Sequence, residues 1–390
     1  MLTIRSHFFK HFNFAPLLAV QSPGRINLIG EHTDYNHGFV LPAAIDKYIQ
    51  VAIGKRTDGT IHMVALDLDE TMVIPIENLK PHPTQWVNYI IGVVAEVLEK
   101  TKYPADLVQG FDICIQGNIP SGAGLSSSAA VECAVLFALN ELYELQLTKM
   151  EMALMAQKAE HQFAGVKCGL MDMFASLHGQ KNKAILLDCA SLAYTYYPLA
   201  LNEYSIVLFD TQIKHALASS EYNTRRLECE AGIKMIQEKY PSLKTFRDLN
   251  IEKVEECLAS NNNSTTAKIY QRCKYVVEEI ERVQAAVKNL AAGDMEAFGK
   301  KMFDTHEGLS KLYEVSCPEL DFLVNAVKQN EDVIGARMMG GGFGGCTINI
   351  IKNSAVDAIS KALAANYLNK YNKPLVVYRT SIEAGTHLLP

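Results

Sequence analysis

The chain has 390 residues, of which 48% are hydrophobic and 21% charged; that is the composition of a soluble globular protein, and the length exceeds one comfortable core, so two domains are expected. Its formal net charge of −6 argues against a surface built for nucleic acid. Nine scattered cysteines, odd in number and without a CxxC pair, argue against a disulfide framework, and the apolar stretch of "MLTIRSHFFKHFNFAPLLAV" is too short for a signal peptide or a membrane span, which points to a cytoplasmic protein.

Strand-like runs open the chain: residues 17–29, 39–53 and 60–66 are rich in Val, Ile, Leu and Tyr and are broken by Gly or Pro. Residues 84–100 carry helical periodicity, 110–117 read as a strand, and 125–145 read as a largely buried helix beginning at a serine-rich cap. A second helix over 148–165 ends at Gly165, and strands are expected at 183–189, 194–199 and 204–210. Beyond residue 214 long amphipathic helices are expected at 219–240 and 267–293. An alternating ending follows, with strands around a glycine loop over 336–351, a helix over 355–371 and a strand over 374–380. A boundary near residue 200 divides the chain into segments 1–200 and 201–390.

Three stretches concentrate chemistry. The first, "GRINLIGEHTDYNHG" at 24–38, crowds Arg25, Glu31, His32, Asp34 and His37 together. A closed zinc site would need a fourth ligand that no nearby Cys or His cluster supplies. An EF-hand fails because the twelfth position counted from Asp34 is Ile45 in place of Glu. Turn chemistry by Asp34, Asn36 and Gly38 is a second alternative. Carbohydrate recognition fits better, because each sugar hydroxyl offers a donor and an acceptor, and Arg25, Glu31, His32 and Asp34 can answer both.

The second, "GNIPSGAGLSSSAA" at 117–130, joins a strand to a helix and would aim free N–H groups and the positive end of a helix dipole at a phosphate. It is not a Walker A loop, since GxxxxGK[ST] is absent; the alternative is a serine-capped core helix. The third, "MGGGFGGCTINII" at 339–351, matches GxGxxG at Gly340, Gly342 and Gly345, yet a strand follows where the dinucleotide fold needs a helix. Another backbone or a ligand approaching closely, or a simple glycine turn, explains it.

Together these motifs resemble the galactokinase family of the GHMP kinase superfamily. "GRINLIGEHTDYNHG" is similar to the galactokinase signature, "PSGAGLSSSAA" to the superfamily's phosphate motif and "GGGFGGC" to its third motif, while "QWVNYIIG", "AEHQFAGVKCGLMD" and "SSEYNTRR" follow the same pattern. The resemblance runs from about residue 15 to the end. It implies an α+β fold of two domains, the first like the second domain of ribosomal protein S5 and the second ferredoxin-like, with the active site between them. It implies transfer of the γ-phosphoryl group of ATP to the C1 hydroxyl of α-D-galactose, with Mg²⁺.

By the same resemblance Asp172 and Arg25 are catalytic, Asp172 beside the anomeric hydroxyl and Arg25 close to both it and the phosphate. Glu31, His32, Asp34, Gly169 and Tyr222 are the sugar contacts. Gly122, Gly124, Leu125, Ser126 and Ser127 surround the triphosphate, Trp86 lies near the base, and Ser128 and Glu160 hold magnesium. Read without the family, Asp172 caps a helix, Glu160 sits on a helix surface, Tyr222 is a residue of an amphipathic helix and Trp86 packs in a core. Met173 and Met339 depart from the Gln and Thr common in the family. The alternatives are a related sugar-1-kinase for N-acetylgalactosamine, galacturonate or arabinose, and a catalytically silent regulator that binds galactose and ATP. "GEHTDY" favours galactose, and the presence of Ser128, Ala129 and Ala130 favours catalysis. No oligomeric partner is predicted.

Overall fold

The computed structural model of this protein describes residues 2–77, 79–100, 108–213, 218–259 and 263–390. Its first element, α1 (Ile4–Phe12), lies where the sequence pattern raises no expectation. Thr3 Oγ1 accepts the Ser6 N–H at 3.2 Å to start it, and Ile4 and Phe8 are buried against Ala19, Ala52 and Cys114. Each such side chain contributes about 1.5–3 kcal/mol of burial, enough to hold a helix this short.

Next come β1 (Leu18–Asn27), β2 (Phe39–Val40), β3 (Pro42–Lys55), β4 (Thr60–Ala65), β5 (Glu70–Pro75), α2 (Gln85–Lys100) and β6 (Phe111–Gly117). β1 and β3 pair antiparallel from Leu18↔Ile53 to Asn27↔Pro42, with a bulge between Pro23 and Arg25. Proline has no N–H for the ladder, and the bulge it favours re-aims Arg25. α3 (Ser127–Tyr143), α4 (Lys149–Ala159) and α5 (Met171–His178) form a layer with α2 against this sheet. α3 is apolar on nearly every face, as expected of a buried helix, and even Glu132 within it is sealed.

The remaining elements are β7 (Lys183–Asp188), β8 (Tyr194–Pro198), β9 (Tyr204–Asp210), α6 (Ala218–Lys239), α7 (Ile251–Leu258) and α8 (Ser264–Ala291). They are followed by α9 (Met295–Lys311), α10 (Pro318–Val327), β10 (Val333–Met338), β11 (Cys346–Lys352), α11 (Val356–Tyr371), β12 (Val376–Thr380) and β13 (His387–Leu388). Among the described residues three sheets form, ordered β13-β1-β3-β6-β4-β5, β10-β11-β9-β12 and β2-β7-β8. One hydrophobic cluster joins Ile26, Leu28 and Ile29 to Val276, Ile280 and Val283 of α8 and to Met338 and Ile348 of the second sheet. β13 returns to the first sheet, where Leu388 pairs with Val20, so the end of segment 201–390 completes the sheet that segment 1–200 began. No helix among the described residues is long and apolar enough to cross a membrane.

Two local features differ from expectation. Ser126 occupies the N-cap position of α3 but has left-handed backbone (φ 59°) and makes no capping bond; its hydroxyl is taken by Asp172 instead. The helix expected over 148–165 runs as α4 and then widens into a π-helical turn, Glu160–Ala164, before Gly165 ends it at φ 78°. That turn carries Glu160 inward, so it is buried and not a surface residue.

Candidate active site

β1 brings Arg25 against the serine loop. Its Nε and Nη2 donate to Asp172 Oδ1 and Oδ2 at 2.7 and 2.8 Å, and its Nη1 donates to the Gly124 carbonyl at 2.6 Å. Behind it the Arg25 N–H donates to the Leu125 carbonyl at 3.2 Å. A Cβ at Gly24 would strike that carbonyl, so glycine is what lets the two backbones meet. Burial opposes charge on Arg25, but Asp172 and Glu31 outweigh it and push its pKa up. Asp172 sits in the first turn of α5, where unpaired N–H groups favour a negative charge. It is not the cap: Leu170 holds that position, and the carboxylate is taken by Arg25 and by Ser126 Oγ, which donates to Oδ2 at 2.5 Å.

Ser128 Oγ donates to Glu160 Oε1 at 3.0 Å, and Cys168 Sγ lies 3.5 Å from Oε2. Burial first, and Asp172 second, push Glu160 up to about 7. Among the described residues no group of three His, Cys, Asp or Glu forms a metal cage. A hydroxyl and a carboxylate side by side are instead the hard-oxygen pair that suits a magnesium ion completing its shell with phosphate and water. His37, exposed at the end of the turn Asp34–Asn36, takes no part.

Arg25 and Asp172 line a pocket of about 220 Å³ together with Glu31, His32, Asp34, Glu160, Gly169, Tyr222 and Gly340–Gly342, with Val166, Cys168 and Met171 completing the wall. All five residues expected to contact the sugar are therefore brought together. Asp34 presses on Gly169 so closely that a Cβ there would fall within its carboxylate. Partly open to the pocket, Asp34 is pushed up to about 7, by burial first and Asp172 second. Glu31 is fastened from behind: Oε1 accepts the Gly340 N–H at 2.7 Å and Arg337 Nη1 and Nη2 at 3.2 Å each, and Oε2 accepts Asn27 Nδ2 at 3.0 Å. His32, 3% exposed and at φ 63°, stacks obliquely with Tyr222, ring centroids 5.3 Å apart.

The two glycine-rich loops meet backbone to backbone. Gly122, Gly124, Gly340 and Gly345 all have positive φ, a Cβ on Gly340 would sit 3.2 Å from the Gly124 carbonyl, and one on Gly345 3.1 Å from that of Ala123. Of the residues expected near nucleotide, Trp86, Gly122, Gly124, Leu125, Ser126 and Ser127 do not line the pocket. Trp86 packs against the first core and donates Nε1 to Glu70 Oε2 at 2.5 Å. Met173 is wholly buried and Met339 nearly so, and neither lines the pocket.

Several participants escape the sequence pattern. Arg337, wholly buried, also donates to the Leu28 and Met338 carbonyls at 2.9 and 2.6 Å. Glu279, buried on α8, accepts the Gly30 N–H at 2.9 Å. Tyr275 donates to the Glu31 carbonyl at 2.9 Å. Each is a lone polar residue inside an apolar strand or helix stripe, and only the polar breach of that stripe signals it.

Comparison with known proteins assigns the class. Residues 88–180 match the family description "GHMP kinases N terminal domain" and residues 286–369 "GHMP kinases C terminal". The mevalonate kinase of Methanococcus jannaschii shares the fold, with a TM-score of 0.64 at 19% identity over 94% of this chain and 98% of that one. The arrangement is that of a GHMP kinase, with both domains of that fold present.

Residues 6–55 match the "galactokinase galactose-binding signature". The galactokinase of Thermotoga maritima is 40% identical over 369 residues, covering 94% of this chain and 99% of its own, and that of Clostridium beijerinckii is 40% identical over 388, covering 98% and 97%. The structure of Lactococcus lactis galactokinase complexed with galactose superposes with a TM-score of 0.92 at 32% identity over 99% of both chains. The chain belongs to the galactokinase family and is an ATP-dependent sugar kinase.

Proposed function

We infer that the protein transfers the γ-phosphoryl group of ATP to the C1 hydroxyl of α-D-galactose. The observation that carries this is the forked Arg25–Asp172 pair on the wall of a pocket rimmed by Glu31, His32, Asp34 and Tyr222. In this reading Asp172 accepts the hydroxyl proton while the C1 oxygen bonds to phosphorus and the bond to the ADP oxygen breaks. Arg25 aims the carboxylate through its two N–H bonds and offsets charge on the transferring group. Ser126 fixes the second carboxylate oxygen, leaving the base little freedom to turn away.

Glu31, His32, Asp34, Gly169 and Tyr222 hold the sugar. Gly122, Gly124, Leu125, Ser126 and Ser127 receive the phosphates, and Trp86 stands toward the base. Ser128 and Glu160 would hold Mg²⁺, which when bound neutralises phosphate charge. A coupled assay of ADP release across galactose, N-acetylgalactosamine, galacturonate and arabinose tests the reading. Galactose is expected to give the highest kcat/KM; preference for another sugar, or binding without turnover, would overturn it.

A further inference from the structure

His32 is buried and neutral, for burial first and Arg225 second bring its pKa down to about 3. A neutral imidazole carries one proton, and which nitrogen holds it decides whether the ring offers the pocket a donor or an acceptor. Nδ1 is engaged: it lies 2.8 Å from the Tyr35 hydroxyl. That hydroxyl lies 2.9 Å from the Tyr313 hydroxyl, which in turn lies 3.2 Å from Cys229 Sγ. Tyr313 and Cys229 are wholly buried. The other ring nitrogen, Nε2, is buried without a hydrogen bond of good geometry.

Two proton orders satisfy this chain. If protons run toward the histidine, Cys229 donates to Tyr313, Tyr313 to Tyr35 and Tyr35 to Nδ1, leaving the ring proton on Nε2. If they run away from it, His32 donates from Nδ1 and the last phenol must donate to sulfur. The first order gives a phenolic proton to imidazole nitrogen, a strong acceptor, and asks the thiol for one weak donation. The second spends a phenolic proton on a weak sulfur acceptor. Asn36 Nδ2 holds the His32 carbonyl at 2.8 Å, so the ring cannot escape by backbone rotation.

We propose that Tyr35 is a positioning residue which, backed by Tyr313 and Cys229, locks His32 with its proton on Nε2 and so presents the pocket with an imidazole donor. The consequence is discrimination: an oxygen that accepts is matched, and a group that only donates is refused. The inference rests on His32 facing the sugar.

Nitrogen NMR of histidine-labelled protein, with His32→Gln identifying the signal, reads the tautomer directly in the free protein. The parent is expected to show Nε2 as the protonated nitrogen and Nδ1 as the bare one; a proton on Nδ1 overturns the proposal without any variant. Tyr35→Phe keeps the ring and removes the hydroxyl. It is expected to give mixed tautomers and to raise KM for galactose roughly fivefold, the scale of one hydrogen bond, with kcat changed less. Retention of the single Nε2–H form with unchanged KM would overturn the role of Tyr35. Tyr313→Phe, expected to loosen the tautomer in the same direction, serves if Tyr35→Phe does not fold. A parent that has the Nε2–H form yet ignores galactose would sink the sugar reading and leave the relay standing.

Discussion

A guanidinium that grips a carboxylate through two N–H bonds fixes its direction, which an ammonium cannot do from one point. Arg25→Lys is therefore expected to lower kcat by about 10²-fold while ATP binding, followed by calorimetry, changes much less. Asp34 makes a different prediction. Its pKa stands at about 7 against an ordinary 3.8, so the folded protein keeps a proton that the unfolded chain releases near pH 4. The stability from this group is fully present below about pH 4 and is lost as pH rises through about 7. Asp34→Asn cannot ionise, and it is expected to gain in urea midpoint over the parent at about pH 8 and to show no such gain at about pH 4. Arg25, Glu31, His32 and Asp34 were legible because polar residues of that density in one short stretch are conspicuous. Arg337 and Tyr313 were not, because one polar residue does not alter the apolar periodicity by which a strand or helix is recognised.

At the scale of elements, the strands and helices that were expected fall close to where hydrophobic period and capping residues put them, since those signals are local, while α9 and β5 were not anticipated. The left-handed Ser126 and the π-helical turn at Glu160 were hidden, because each backbone choice is dictated by a partner distant in sequence: Asp172 for the first, Ser128 for the second. The same dependence makes close approaches testable. Gly169→Ala would drive a methyl group into the Asp34 carboxylate, and is expected to raise KM for galactose about tenfold or more with little change in KM for ATP. Glu31→Gln leaves Arg337 buried with its charge uncompensated, and is expected to cost about 3–5 kcal/mol in urea unfolding. If it unfolds like the parent, Glu31 does not tie β1 to the strand before the glycine loop.

Over the whole molecule, two sheets and their helices meet so that β1, the loop before α3 and the start of α5 lie against the glycine loop between β10 and β11. That β13 would rejoin the first sheet was not legible, because a two-residue strand carries no periodic signal. The pocket draws on residues from 25 to 342 in the sequence, so the chemistry exists only in the assembled fold. Phosphorus NMR of the reaction of galactose with ATP and magnesium tests the central claim most directly, with parent and Asp172→Asn run side by side. The parent is expected to build a phosphate ester coupled to the anomeric proton, and the variant to lose about 10³-fold in rate while still binding ATP. An ester at another carbon, or a variant as fast as the parent, would contradict the account.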